Sequence, residues 1–80
     1  MKITIYGTTN CAFCKTEKQW LDSKWIEYTY VNLDEDEAAR MFLQQTLDIS
    51  RVPVTMITEG EDTKIVFGFD RPKLMEAIGI

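Results

Sequence analysis

Two cysteines three residues apart, Cys11-Ala12-Phe13-Cys14, stand between a run that alternates like a strand and a run that is spaced like a helix. They are the only cysteines in the chain, which has no histidine. Two thiols at this spacing at a helix start can close a small disulfide and reopen it by exchange with another thiol pair. The strand, the pair and the helix start are therefore expected together at the carboxyl end of a strand, where ligands of such sheets bind.

The rest of the composition bounds the fold around that pair. Eighty residues make one domain, residues 1–80, whose core buries about 60% of the unfolded surface. Hydrophobic residues at 45% and charged residues at 28% suit a soluble globular chain, and no apolar run nears the ~20 residues that span a bilayer. No membrane contact is expected. Met1-Lys2-Ile3-Thr4-Ile5 enters a strand pattern at once instead of a charged leader and apolar stretch, so a cytoplasmic location is the default. In that reducing compartment a C-x-x-C pair is more often catalytic or metal-binding than a structural staple. A net charge of −4 argues against nucleic acid as a partner, which wants a clustered basic surface.

Lys2 to Tyr6 reads as a first strand with Ile3 and Ile5 on one face. Thr8-Thr9-Asn10 offers caps for a helix starting within a residue or two of Cys11, with Phe13, Trp20 and Leu21 as its apolar side and Glu17 on or near it. Trp25 to Leu33 is rich in strand formers and reads as strand two. Asp34-Glu35-Asp36-Glu37 places carboxylates where a helix start favours them, and Ala38, Ala39, Phe42, Leu43 and Leu47 follow at helical spacing to an end near Asp48. Past Ile49-Ser50-Arg51, Val52 to Ile57 reads as strand three, with Pro53 confined to a strand start or edge. Glu59-Gly60-Glu61-Asp62 turns the chain into a fourth strand at Ile65, Val66 and Phe67. Asp70 and Pro72 open a last helix carrying Leu74, Met75, Ala77 and Ile78. The order is β-α-β-α-β-β-α, a four-stranded mixed sheet with helices on both faces.

Disulfide exchange needs a thiolate, and the helix N-terminus favours the anion at Cys11 over that at Cys14, which lies one turn further in. Cys11 is thus expected to attack and Cys14 to resolve the mixed disulfide intramolecularly. Phe13 reads either as an outward contact for a partner or as a core aromatic. Glu17 reads first as an exposed helical glutamate near Lys18 and Lys24; the alternative is that it approaches Cys14 and takes its proton. A metal site competes for the pair, but four ligands are needed and only two cysteines are present, so it would have to join two chains.

Strand, Cys-x-x-Cys, helix, then Val52-Pro53, then Gly68-Phe69-Asp70 is an order that resembles the glutaredoxin branch of the thioredoxin superfamily over nearly the whole chain. Ile3-Thr4-Ile5-Tyr6 and Gly68-Phe69-Asp70-Arg71-Pro72 are most similar to the glutaredoxin-like NrdH redoxins. The resemblance implies an α/β fold of the thioredoxin-like, glutaredoxin type and a thiol-disulfide oxidoreductase with no bound cofactor. It also implies a cis Val52-Pro53 dipeptide that pairs with a bound peptide or glutathione, and a partner-binding surface of Phe13, Arg51, Val52, Pro53, Gly68, Phe69 and Asp70. Asp70 would either hold the glutamyl end of glutathione or simply cap its helix.

NrdH-like proteins take electrons from NADPH through thioredoxin reductase and pass them to a class Ib ribonucleotide reductase. Four features depart from the glutathione-binding pattern. Ala12-Phe13 replaces Pro-Tyr, Arg51-Val52-Pro53 replaces Thr-Val-Pro, Gly68 stands without a second glycine, and Thr8-Thr9-Asn10 lacks the usual basic residue. Asp70 also interrupts the Phe-Arg-Pro typical of the redoxins. The expectation is a monomeric dithiol redoxin that reduces a protein disulfide, with ribonucleotide reductase suspected as substrate and thioredoxin reductase as reductant. A glutathione-dependent glutaredoxin is the alternative, and an iron-sulfur or metal carrier is the alternative from another class.

Overall fold

Alternation of Ile3 and Ile5 with polar neighbours builds the first strand, β1 (Lys2–Gly7), and both isoleucines are buried on one side of it. The computed structural model describes residues 1–46 and 52–80. After β1 come α1 (Ala12–Ser23), β2 (Thr29–Asn32), α2 (Glu37–Thr46), β3 (Val54–Glu59), β4 (Asp62–Phe67) and α3 (Arg71–Ile78). The strands form one sheet in the order β2-β1-β3-β4, with β1 and β2 parallel and the other two pairings antiparallel. This is the expected β-α-β-α-β-β-α order and mixed sheet of the thioredoxin-like fold.

Register fixes which side chains share a face. Ile5 lies opposite Thr55 and Ile3 opposite Ile57, while Thr55 in turn faces Val66. Ile3, Ile5, Ile57 and Val66 join Leu21 of α1 and Leu74 and Ile78 of α3 in one buried cluster. Val54, next to Thr55, points to the opposite face and is fully buried there, so that side of the sheet is covered too. Leu43 of α2 is likewise buried and lies outside the first cluster.

Several element bounds differ from those expected. Strand two is limited to Thr29–Asn32 because α1 closes with two bonds that claim the next residues, Trp25 N–H to Asp22 O and Ile26 N–H to Leu21 O, each 3.1 Å. This is the paired closure that puts the residue after the cap in the left-handed region. Here that residue is Trp25, at φ 58° and 93% exposed, whereas its strand-forming composition points to a pleated sheet. Strand three starts at Val54 rather than Val52, since β3 lies inside the sheet and a proline cannot donate to a ladder. Strand four begins at Asp62 rather than Ile65, because Glu59 pairs directly with Asp62 and Gly60, at φ 62°, makes a two-residue turn.

At the helix starts, Asp36 accepts from the Ala39 amide at 3.0 Å, which accounts for part of the acidic run, and Asp70 accepts from the Lys73 amide at 3.2 Å. The helix end expected near Asp48, and Arg51, lie outside the described residues. No helix among the described residues is long and apolar enough to cross a membrane.

Candidate active site

Parallel pairing of β1 with β2 leaves the end of β1 free to turn directly into α1, and the cysteines occupy that turn. Cys11 is itself the N-cap of α1: its Sγ accepts from the Cys14 amide at 3.1 Å. The sulfur has taken the capping role expected of Thr8-Thr9-Asn10, whose polar groups serve elsewhere. Thr8 O accepts from the Tyr30 hydroxyl at 2.8 Å, Thr9 N–H donates to Asp34 at 3.0 Å, and Thr9 Oγ1 accepts from Asn32 at 2.9 Å. These bonds tie the loop before the pair to β2 and the turn after it.

Cys11 and Cys14 form a disulfide with Cα atoms 5.2 Å apart. Cys11 is partly exposed, whereas Cys14 is 1% exposed. An amide hydrogen aimed at the outer sulfur, together with the positive end of a helix, favours negative charge there when the bond opens. The inner sulfur is enclosed by Gly7 and Tyr30. A Cβ built on Gly7 would meet the Cys14 Sγ at 2.5 Å and the Tyr30 Oη at 2.5 Å. Gly7 is needed here for close approach and not for its backbone freedom. Burial, and secondly Asp34, raise the Tyr30 phenol above its usual 10.0, so its hydroxyl stays protonated and bonded to Thr8. Gly7→Ala should lower stability by on the order of 1 kcal/mol through overpacking, read as a lower urea midpoint of the oxidised protein. An unchanged midpoint would mean that the sulfur and the hydroxyl yield freely.

The Val52–Pro53 bond is cis, as the resemblance implies, and Pro53 is fully buried. One step beyond the Tyr6–Val54 pair, Pro53 falls opposite Gly7, on the face where Cys14 packs. Pro53 O accepts from Gly68 N–H at 2.7 Å, and Gly68 sits at φ 74°, so the two motifs 15 residues apart in sequence meet at this end of the sheet. Asp70 follows as the α3 cap. Phe69 turns inward, with its ring edge-on to Trp20 at 6.1 Å. Phe13 points outward and is 64% exposed, which corrects the apolar side expected for α1: its buried stripe is Cys14, Glu17 and Leu21.

Glu17 is the larger departure. Instead of an exposed glutamate near Lys18 and Lys24, it is 0% exposed, and its Oε2 accepts from the Thr55 hydroxyl at 2.5 Å. Burial raises its carboxyl from 4.5 to about 6, against the opposing Thr55 bond. Helical spacing from Cys14 and Leu21 put it on or near the buried side, and its charge spoke for solvent. Tyr30 and Gly7 were missed, because their roles arise from contacts across the sheet. Lys18 instead lies over the Tyr30 ring, 4.0 Å from its centroid. With Lys15, Thr8, Thr9, Asn10 and Tyr30 it lines an open cavity of about 500 Å³ beside Cys11. Among the described residues no group of three or more Cys, Asp and Glu side chains is placed to hold a metal.

Comparison with known proteins gives a consistent family. The glutaredoxin family profile matches residues 3–61. A glutaredoxin-like 8.6 kDa protein of the rubredoxin operon of Clostridium pasteurianum is 34% identical over 76 residues, 95% of this chain and 96% of that one. The glutaredoxin-like protein NrdH of Lactococcus lactis is 27% identical over 59 residues, 74% of this chain and 78% of that one. The solved NrdH-redoxin of Escherichia coli, described as glutaredoxin-like with a thioredoxin-like activity profile, superposes with a TM-score of 0.67 at 26% identity, covering 95% and 92% of the two chains.

Proposed function

The chain belongs to the glutaredoxin family, whose members are thiol-disulfide oxidoreductases, and on that premise we propose that it is a dithiol electron carrier in which Cys11 attacks and Cys14 resolves. The observation that carries this assignment is the inequality of the two sulfurs: Cys11 is open to a partner and capped by an amide, and Cys14 is enclosed. The Cys11 thiolate attacks one sulfur of a protein disulfide and expels the other as a thiolate. Cys14 then displaces the substrate from Cys11, which closes the internal disulfide, and the substrate leaves with both its sulfurs reduced. Phe13, exposed beside the pair, and Val52, Gly68 and Asp70 at that end of the sheet form the docking surface, with buried Pro53 and inward-turned Phe69 shaping it from beneath and Arg51 assigned to it by resemblance.

We assign thioredoxin reductase, fed by NADPH, as the reductant. The likeness to an NrdH-redoxin of thioredoxin-like activity supports this, as does the absence of a basic side chain from Thr8-Thr9-Asn10. The same likeness supports a ribonucleotide reductase disulfide as substrate. A monomer of one domain in the reducing cytoplasm suits a pair that must be reopened after each cycle. One observation favours glutathione as the alternative: Lys15 and Lys18 line the cavity beside Cys11, where they could meet a carboxylate.

Supplying the oxidised protein with NADPH and thioredoxin reductase, or with NADPH, glutathione and glutathione reductase, separates the two reductants. Rapid NADPH consumption only with thioredoxin reductase is expected. Turnover with glutathione alone would transfer the assignment to the alternative.

A further inference from the structure

Glutamate is almost never fully buried without a charged partner. Yet Glu17 is the one charged side chain buried among the described residues, and its only hydrogen-bond partner there is the neutral Thr55 hydroxyl. Its second oxygen, Oε1, is buried and has no hydrogen-bond partner among them. An apolar side chain would fill the gap between Cys14 and Leu21 without leaving an orphaned oxygen, so packing alone does not account for the residue.

Its position suggests what does. Cys14, Glu17 and Leu21 form the buried stripe of α1. Side chains on a helix lean toward its N-terminus, and residues three apart have Cβ atoms about 5–6 Å from each other. The Glu17 carboxylate therefore extends over the turn that carries Cys14. On the sheet, Thr55 pairs with Ile5, two residues before the Gly7 against which the Cys14 sulfur packs. Sulfur and carboxylate therefore face the same side of the sheet from neighbouring turns of α1.

We infer that Glu17 is the proton acceptor for Cys14 in the resolving step. This deepens the dithiol reading and rests on it. Cys14 is closed to solvent, so its proton needs a receiver inside the protein. The proton passes from the Cys14 thiol to the Glu17 carboxylate, and the freed electron pair forms the bond to Cys11 Sγ. The bond from Cys11 to the substrate breaks, and the substrate sulfur departs with that pair and takes a proton from water. Recharging runs the transfer backwards, returning the proton to Cys14 as the reductase opens the internal disulfide. At no point is a second buried negative charge created, which is what a low-dielectric interior would resist.

Little else near Glu17 could do this. The same-face neighbours of Thr55 are Ile5, Ile57 and Val66, and α3 brings Leu74 and Ile78 to the cluster. None of these titrates. Lys64, opposite Ile57, is exposed, Lys18 lies over Tyr30, and the Tyr30 proton is engaged by Thr8. Burial without a nearby charge holds the Glu17 carboxyl at about 6, so that it takes up a proton more readily than an exposed carboxylate.

The test uses reduced full-length protein and an excess of the aromatic disulfide 5,5′-dithiobis(2-nitrobenzoate). Attack by Cys11 releases one coloured thiolate, and resolution by Cys14 releases a second. In Glu17→Gln the second release should slow by about 100-fold at pH 7. It should also lose a fall in rate that the wild type shows as pH drops through about 6. Glu17→Asp should keep that fall. An unchanged second release in Glu17→Gln would overturn the inference, and so would an equal slowing of both releases, which would mean that Glu17 acts on Cys11. If the wild-type protein released only one equivalent, the dithiol reading itself would fail, and this inference with it.

Discussion

Cys11→Ser is expected to abolish reduction of insulin disulfides, to the rate seen without protein, because a hydroxyl at the α1 cap cannot supply the thiolate that opens a disulfide. Cys14→Ser should fail differently. Cys11 should still attack, with nothing to displace the substrate, so a covalent adduct should accumulate that mass spectrometry would detect and dithiothreitol would reverse. The contrast follows from burial, since Cys14 at 1% exposure cannot reach a substrate on its own. Equal residual activity in the two variants would remove the basis for their separate roles.

The second large effect concerns stability. The Glu17 carboxyl holds its proton up to about 6 in the folded protein, against 4.5 for the group in the open chain. Between these values the folded state binds more protons than the unfolded state, so stability falls as pH rises. The contribution is fully present below 4.5 and is lost as pH passes through about 6. Its size is on the order of 2 kcal/mol, at about 1.4 kcal/mol per pH unit, or roughly a 30-fold change in the ratio of folded to unfolded protein. Glu17→Gln should remove this slope and leave the oxidised protein more stable than wild type at pH 7 by a similar amount. Urea unfolding at pH 4.5 and pH 7 measures both, and a wild-type profile as flat as the variant's would contradict the assignment. A more stable Glu17→Gln protein that exchanges disulfides slowly would be a trade of stability for activity, common where a polar group is buried for function.

Much of this site could be read along the chain because its parts are local. The strand alternation of Ile3 and Ile5, the C-x-x-C spacing, Asp70 with Pro72 at a helix start, and the Glu59 to Asp62 turn depend on residues within four positions of one another. Trp25 misled because its strand-forming character was local as well, while the closure of α1 onto Leu21 and Asp22 decided its backbone. Phe13 and Glu17 each had two readings open along the chain. Hydrophobicity alone favours the aromatic inside and the carboxylate outside, and the packing of α1 on the sheet selected the outward reading of Phe13 and the buried one of Glu17.

The sequence by itself determined the element order and brought a reactive thiol pair to a helix start, since hydrogen bonding and side-chain periodicity act over short separations. The tertiary structure alone decided which sulfur is enclosed and which is open. It joined Pro53 to Gly68, pressed Gly7 and Tyr30 against Cys14, and set Glu17 beside Thr55, a residue 38 positions away. Burial depends on which surfaces meet across the sheet. That in turn depends on strand order and register, which no single segment of the chain contains.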